Sequence, residues 1–317
     1  AQLATECFET DEFTVVEGGV EVGKAFSELP FDHLLFTGSK QTAKEVAKAA
    51  AENLTPTTLE LGGKSPAIVC PGADLKRSAN RIAFGKLANA GQVCISPDYV
   101  LVERSRFHNF VEHLQSQASK AYPNLGENPH YTSIISNQHF SRLNQMIEEA
   151  REKGAEVITI NPAGEDFPME NRKIPPTLIL LPDPSLKVMQ EEIFGPILPV
   201  LSYEKLEDAI DFVKQREHPL GLYIFTESSQ EREKVLRETV SGGVSVNEVL
   251  YQFVCETLPF GGVGASGMGA YHGQAGFDTF SHLKPIFIQP RLNFDFFLMP
   301  PVTPLKRLIA RIFRKLV

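Results

Sequence analysis

Short apolar runs alternate with amphipathic stretches along most of this chain, and few architectures satisfy that alternation. Residues 31–38, "FDHLLFTG", read as a strand closing on a glycine turn, and residues 39–54, "SKQTAKEVAKAAAENL", as the helix that follows. The succession recurs in "TTLELGG" and "SPAIVC", then in "DLKRSANRIAFGKLANAG", where Leu75, Ala79 and Ile82 share a helical face. Ser136 is placed to cap a helix with Phe140, Leu143, Met146 and Ile147 on one side, and Gly154 to end it before "AEVITI". Further on, "EKLEDAIDFVKQ" precedes "GLYIFT", and "SQEREKVLRETVSGG" precedes "VSVN". Strands joined through helices pair in parallel and bury both faces of their sheet, so the fold class is α/β, built of parallel βα units.

The 317 residues are 42% hydrophobic and 22% charged, enough to bury a sizeable core in two domains or one large one. A net charge of −8 argues against nucleic acid, whose binding needs Lys and Arg to neutralise phosphates, and favours a small molecule or a protein. The four cysteines, Cys7, Cys70, Cys94 and Cys255, stand far apart with no C-x-x-C pair. Neither a metal site nor a disulfide framework is expected, and a reducing, cytoplasmic compartment fits. No apolar run is long enough to span a bilayer. The first residue is Ala1 and not Met, which points to a start inside a longer protein.

Two glycine segments invite a phosphate-binding reading. Residues 262–267, Gly-Val-Gly-Ala-Ser-Gly, satisfy G-x-G-x-x-G, but "ETLPF" before them is no strand and "MGAYHG" after them no helix. A dinucleotide fingerprint needs both, so a flexible or packing loop is expected. In "FTGS", Gly38 and Ser39 lie between a strand and a helix, where free N–H groups suit an anion and where Gly-Ser is also an ordinary cap.

Isolated cysteines are mostly small buried hydrophobes. Cys94 differs from Cys70, which ends the apolar run "PAIVC", in following Gly91 and in having polar neighbours, Gln92 and Ser96. Glu60 ends a strand directly before Leu61-Gly62-Gly63, and the carboxyl ends of strands are where open α/β sheets bind ligands. A thiol and a carboxylate so placed can perform acyl chemistry: the cysteine attacks a carbonyl, and the glutamate activates the thiol or a water. The pair is equally compatible with a packing cysteine and an exposed strand end.

Five segments, "LTPTTLELGGKSPAIV", "NAGQVCISPDYVLVE", "VMQEEIFGPILPV", "REHPLGLYIFT" and "LPFGGVGASGMGAYHG", in this order and spacing, resemble the aldehyde dehydrogenase superfamily. Asp98-Tyr99 and "GMGAYHG" are most similar to its class 3 branch, with coniferyl and fatty aldehyde dehydrogenases. The resemblance runs to about Ile286. It implies the family's fold, with residues 1–62 the end of an NAD(P)-binding domain, 63–282 a catalytic domain and 283–317 an oligomerisation tail. It implies Cys94 as nucleophile and Glu60 as general base, with Gly38 and Ser39 at the cofactor phosphates, Glu192 on the nicotinamide ribose and Phe194 beside the nicotinamide. Glu192 shares the base role in some class 3 readings. The implied reaction is NAD- or NADP-dependent oxidation of an apolar aldehyde, aromatic or medium-to-long aliphatic, to the acid, by a homodimer. A cofactor-independent Cys94 esterase, or an inactive chain retaining only oligomer contacts, are the alternatives.

The chain also departs from the family pattern. Most of the dinucleotide-binding half, with the Asn of a "WN" motif and a ribose-binding Lys, precedes the point where this sequence starts, so weak or no turnover of NAD is expected from these residues alone. Ala43 replaces a second glycine of the phosphate turn, leaving slightly less room for the pyrophosphate. The end of the chain, "LKRLIARIFRKLV" (residues 305–317), sets Leu305, Leu308, Ile309, Ile312, Phe313, Leu316 and Val317 at helical spacing against Lys306, Arg307, Arg311, Arg314 and Lys315. Such a helix packs on a substrate funnel or a partner subunit, or lies peripherally in a membrane interface.

Overall fold

A computed structural model describes residues 1–291 and 299–314. Lys315, Leu316 and Val317 of the basic tail, the stretch 292–298 and the Phe313 side chain lie outside what it describes. By contacts the chain divides into two units, Ala1–Phe280 and Ser281–Val317.

The first unit holds two sheets. The smaller has the order β1-β2-β10, formed by β1 (Leu34–Thr37), β2 (Thr57–Glu60) and β10 (Gly267–Met268). The larger is built from β3 (Pro66–Val69), β4 (Tyr99–Glu103), β5 (Glu156–Thr159), β6 (Thr177–Leu180), β7 (Ile197–Tyr203), β8 (Gly221–Phe225) and β9 (Gly243–Val246). Its order is β5-β6-β7-β4-β3-β8-β9.

Side chains alternate across the large sheet, so neighbours in sequence feed different cores. Ile68, Leu101, Ile179 and Leu222 join one cluster with Leu143, Met146, Ala209 and Val235, whose helices cover that face. Ala67, Val100, Leu178 and Tyr223 join the other with Ala79, Ile82, Phe110 and Leu114. Each fully buried Ile or Leu contributes about 1.5–3 kcal/mol, and the continuous apolar strands need both helical layers.

The expected helices form at Lys40–Glu52, Leu75–Leu87, Asn137–Glu152, Leu206–Lys214 and Ser229–Glu238. Ser136 accepts a hydrogen bond from the His139 N–H, and Gly154 turns at φ +81° after the same helix. Parallel pairing fails in two places. β5 runs antiparallel to β6 at the sheet edge, where no crossover constrains it. β10 arises inside the glycine-rich loop and runs antiparallel to β2, with Gly267 opposite Glu60. A loop of this kind is packed, not flexible: Gly267 adopts φ +145°, and a Cβ there would lie 2.2 Å from the Leu59 carbonyl oxygen.

In the second unit, Pro304–Phe313 is a helix capped by Thr303, which accepts from the Lys306 N–H. Leu305, Leu308 and Ile312 are exposed on it. Among the described residues no helix is long and apolar enough to cross a membrane, and no group of three His, Cys, Asp or Glu is placed to hold a metal ion.

Candidate active site

The loop carrying Cys94 is shaped by backbone conformation. After the helix Leu75–Leu87, Asn89, Ala90 and Gly91 take φ of +49°, +51° and +74° in succession, turning the chain into the Cys94 turn. Left-handed backbone costs an ordinary residue about 1–2 kcal/mol, so surrounding contacts must hold it. The Gln92 amide does so: its Nε2 donates to the Asn89 and Ser133 carbonyls at 3.1 Å each, and its Oε1 accepts from Ile135 N at 2.9 Å. Ser96 Oγ donates to the Gly85 carbonyl at 3.1 Å, and the Tyr223 hydroxyl donates to the Ile95 carbonyl. Both polar neighbours of Cys94 are thus buried framework and not ligand-facing groups, which corrects the reason that set Cys94 apart in the sequence.

Gly91 packs against a second loop. A Cβ at Gly91 would lie 2.2 Å from the Gly195 carbonyl oxygen, so the Cys94 loop and the loop of "EEIFGP" touch backbone to backbone. Gly91→Ala combines left-handed strain with this collision and should lower stability by roughly 2–5 kcal/mol. Gly154→Ala shares the positive φ with nothing within 4 Å, and should cost only about 1–2 kcal/mol. Denaturant midpoints of the two variants check the difference.

The "EEIFGP" loop is pinned from both sides. Arg142 donates to the Glu192 and Ile193 carbonyls at 2.9 and 2.6 Å. Lys64 Nζ reaches Asp98 Oδ2 at 2.5 Å and the Val188 and Glu191 carbonyls at 2.7 and 3.0 Å, while Asp98 Oδ1 accepts from Ile193 N at 3.1 Å. Phe194 stands between Ile193 and Gly195 with φ +51°, half-buried.

Three titratable groups converge at this junction. Glu60, at the end of β2, is 3% exposed, and neither carboxylate oxygen has a hydrogen-bond partner in the described structure. Burial pushes it up to about 7. Glu192 lies against Gly62, where a Cβ would come 2.0 Å from Glu192 Oε1. Burial and then Asp98 push it up to about 7, against the pull of Gly63, Lys64 and Arg142. The Cys94 thiol is pushed up to about 11 by burial, then by the charges of Glu192 and Glu60, while the N–H groups of Cys94 and Ile95 pull it down. Cys94 rests among Ile95, Leu220 and Phe260 with Tyr271 and Leu250 beside it, an apolar floor. Tyr271 is raised by burial and then by Glu60 and Cys94, which places it by both.

Gly38 and Ser39 lie one hydrogen bond away. Gly38 N donates to the Glu60 carbonyl at 3.0 Å, so the turn before the helix Lys40–Glu52 abuts the end of β2. Ser39 is the N-cap, its hydroxyl accepting from the Thr42 N–H, so its side chain satisfies one first-turn donor. Ala43 is buried against Leu59 and Leu61. Its methyl faces the sheet, so it takes no room from an anion at the helix start. Sequence reasoning missed Lys64, Lys86 and Arg142; the visible signal for Lys86 was a lysine on the same helical face as Ala79 and Ile82.

A half-buried thiol, a desolvated carboxylate without hydrogen-bond partners among the described residues and a second carboxylate beside it can perform covalent acyl chemistry at a carbonyl carbon. Residues 1–286 match the family model described as the aldehyde dehydrogenase family, and the chain belongs to that family. It is 52% identical over 288 residues to a probable coniferyl aldehyde dehydrogenase of Caulobacter vibrioides, covering 90% of this chain and 59% of that protein. A substrate-bound Staphylococcus aureus AldH superposes with a TM-score of 0.89 at 40% identity, covering 98% of this chain and 67% of that one. An NAD-dependent aldehyde dehydrogenase from Sinorhizobium meliloti gives a TM-score of 0.85 at 29% identity, covering 96% and 59%. The fold is therefore that of the family. The chain spans between 59% and 64% of the length of the first curated relatives that it matches.

Proposed function

We propose that this chain carries the catalytic part of an NAD(P)-dependent aldehyde dehydrogenase, in which Cys94 attacks the aldehyde carbonyl. The observation that carries the reading is the convergence of the Cys94 thiol with the buried Glu60 carboxylate and the half-buried Glu192 carboxylate on an apolar floor. The thiol proton passes to Glu192, and the thiolate adds to the carbonyl carbon. The resulting oxyanion meets the Cys94 N–H, a preorganised donor. A nicotinamide held by Glu192 and Phe194 would supply the hydride acceptor through which the Cys94 adduct becomes a thioester. Glu60 then takes a proton from water, which attacks the thioester, releases the acid and regenerates the thiol.

The first turn of the helix Lys40–Glu52, beside Gly38 and Ser39, fits a cofactor phosphate. Glu192 and Phe194 are assigned to the nicotinamide ribose and ring. Residues 1–62 form the end of the cofactor domain in this reading, 63–282 the catalytic domain and 283–317 the tail. The substrate is an apolar aldehyde, aromatic or medium-to-long aliphatic, in line with Ile95, Leu220 and Phe260 around the thiol and with the name of the Caulobacter relative.

The test is to supply the chain with coniferyl aldehyde and NAD or NADP and follow the absorbance of the reduced cofactor, with Cys94→Ala as control. A signal that needs both aldehyde and Cys94 supports the reading. A chain that neither reduces cofactor nor hydrolyses a nitrophenyl ester through Cys94 contradicts it; Cys94-dependent hydrolysis alone points to the esterase.

The helix Pro304–Phe313 is assigned to packing on a second copy of the chain in a homodimer, its exposed Leu305, Leu308 and Ile312 covered there. Flotation with phosphatidylserine vesicles should then fail. Flotation that disappears in a Leu305→Glu/Leu308→Glu variant would move the helix to a membrane interface instead.

A further inference from the structure

The chemistry above uses the Cys94 N–H as a donor, and a line of hydrogen bonds, every link donating in the same direction, leads to that N–H from β9. It starts at Ser245, whose hydroxyl donates to Gln252 Oε1. Gln252, in the helical turn Tyr251–Val254, donates from Nε2 to the Tyr223 hydroxyl oxygen at 3.2 Å. Tyr223, on β8, donates to the Ile95 carbonyl. The peptide joining Ile95 to Ser96 carries the line onward, since the Ser96 N–H donates to the Val93 carbonyl at 2.9 Å. The peptide joining Val93 to Cys94 ends it, with the Cys94 N–H as the last donor. Ser245, Gln252, Tyr223, Ile95 and Ser96 are all buried, so these links are shielded from solvent, where a hydrogen bond is electrostatically strongest.

Packing alone does not account for Tyr223, whose partners in the same core layer, Ala67, Val100 and Leu178, are aliphatic. Two other buried tyrosines, Tyr131 and Tyr203, also donate to carbonyls, those of Ile174 and Val69, yet among the described residues neither hydroxyl accepts from a side chain. The Tyr223 hydroxyl is oriented by a second side chain, and it holds the residue next to Cys94. Room for the pair comes from Gly221, where a Cβ would lie 3.1 Å from both Gln252 Nε2 and the Tyr223 hydroxyl oxygen. We propose that Tyr223 is a positioning residue for acylation: its hydroxyl, oriented by Gln252 and Ser245, fixes the turn 93–96 so that the Cys94 N–H points at the developing oxyanion. The peptide after Ile95 is held at both ends, by Tyr223 and by the Val93 carbonyl, and the Ser96 hydroxyl ties the turn to the Gly85 carbonyl at 3.1 Å. As the Cys94 sulfur bonds to the substrate carbonyl carbon, the π pair moves onto oxygen, and a donor already aimed there needs no reorganisation. Links aligned head to tail polarise one another, which strengthens the last donor.

This inference rests on the reading of Cys94 as nucleophile, and the test separates the two. Two reactions of the same thiol are compared in the full chain: acylation by nitrophenyl acetate, which forms an oxyanion, and alkylation by iodoacetamide, which does not. Alkylation is read by mass on the peptide containing Cys94, because Cys7 and Cys255 are exposed and react as well. In Tyr223→Phe the acylation burst slows roughly tenfold, short of the roughly 10²–10³-fold cost of losing an oxyanion donor outright, while alkylation stays within about twofold. Gln252→Met leaves the Tyr223 hydroxyl in place without its donor; it slows acylation selectively by about threefold and adds nothing in Tyr223→Phe. Should Tyr223→Phe fail to fold, the selective loss in Gln252→Met decides by itself. Equal slowing of acylation and alkylation, no slowing of either, or a further loss from Gln252→Met in Tyr223→Phe overturns the role of Tyr223 and leaves that of Cys94 standing. A burst that survives Cys94→Ala overturns the nucleophile reading and this one with it.

Discussion

Cys94→Ala should abolish ester hydrolysis, and with it whatever aldehyde oxidation the chain supports, a loss of about 10⁴-fold or more, because in the proposed mechanism both reactions pass through the same covalent sulfur adduct. The structure gives the reason in the contrast with Cys70. Cys70 is fully buried at the end of β3, its thiol pushed up to about 12 by burial and by Glu231, so it has neither access nor a base. Cys94 is half-buried, faces two N–H groups and has two carboxylates within electrostatic reach. Cys70→Ala should therefore leave acylation within a few fold of the wild type and lower stability by about 1 kcal/mol through lost packing. Steady-state rates of the two variants with one ester and one aldehyde, together with denaturant melts, check the contrast. Because burial and both acids hold the Cys94 thiol at about 11, wild-type acylation needs a base at neutral pH, and its rate should follow carboxylate ionisation.

Glu60→Gln should stop the second half of the reaction while making the protein more stable. The carboxyl has no hydrogen-bond partner among the described residues and is held at about 7, so it ionises across the pH range in which a general base for water is most effective. In the wild type, deacylation rises as pH passes through about 7 and then levels. With Gln the acyl form persists, and deacylation slows by about 10²–10⁴-fold without that rise. The stability effect follows from linkage. The folded carboxyl keeps its proton up to about 7, whereas the unfolded one loses it near 4.5. The native state therefore binds the extra proton between these values, and wild-type stability falls as pH rises through that window. Above it the full cost is present, up to about 3 kcal/mol, and Gln relieves it. Unfolding at pH 5 and pH 8 should show a gap between variant and wild type that is small at pH 5 and near its full size at pH 8.

Much of the scaffold was legible because it rests on local rules. The caps at Ser39 and Ser136, the stop at Gly154 and the period of residues 75–87 and 137–152 carry their own signals. β10 did not, since its two residues gain strand geometry only from the edge of β2, some two hundred positions away. The direction of β5 was hidden for the same reason, as edge pairing leaves no mark on "EVIT". Within the site, the acid and the thiol stood out by residue type and by family likeness. What brings them together was not visible: Gly91 meeting the Gly195 carbonyl, Gly62 making room for Glu192, and Lys64 with Asp98 tying β4 to the loop at 188–193. Gln92 and Ser96 illustrate the hazard of reading polarity as exposure, because a buried amide with three backbone partners looks, in sequence, like one facing a ligand.

The most direct measurement is the mass of the protein after brief exposure to a nitrophenyl ester at pH 8, with peptide mapping of the adduct in the wild type and in Glu60→Gln. One acyl group is expected on the peptide containing Cys94 in both proteins, clearing rapidly from the wild type and persisting in the variant. An adduct on any other residue, or one that clears equally fast from both proteins, would contradict the assignment of Cys94 as nucleophile and Glu60 as the base for water.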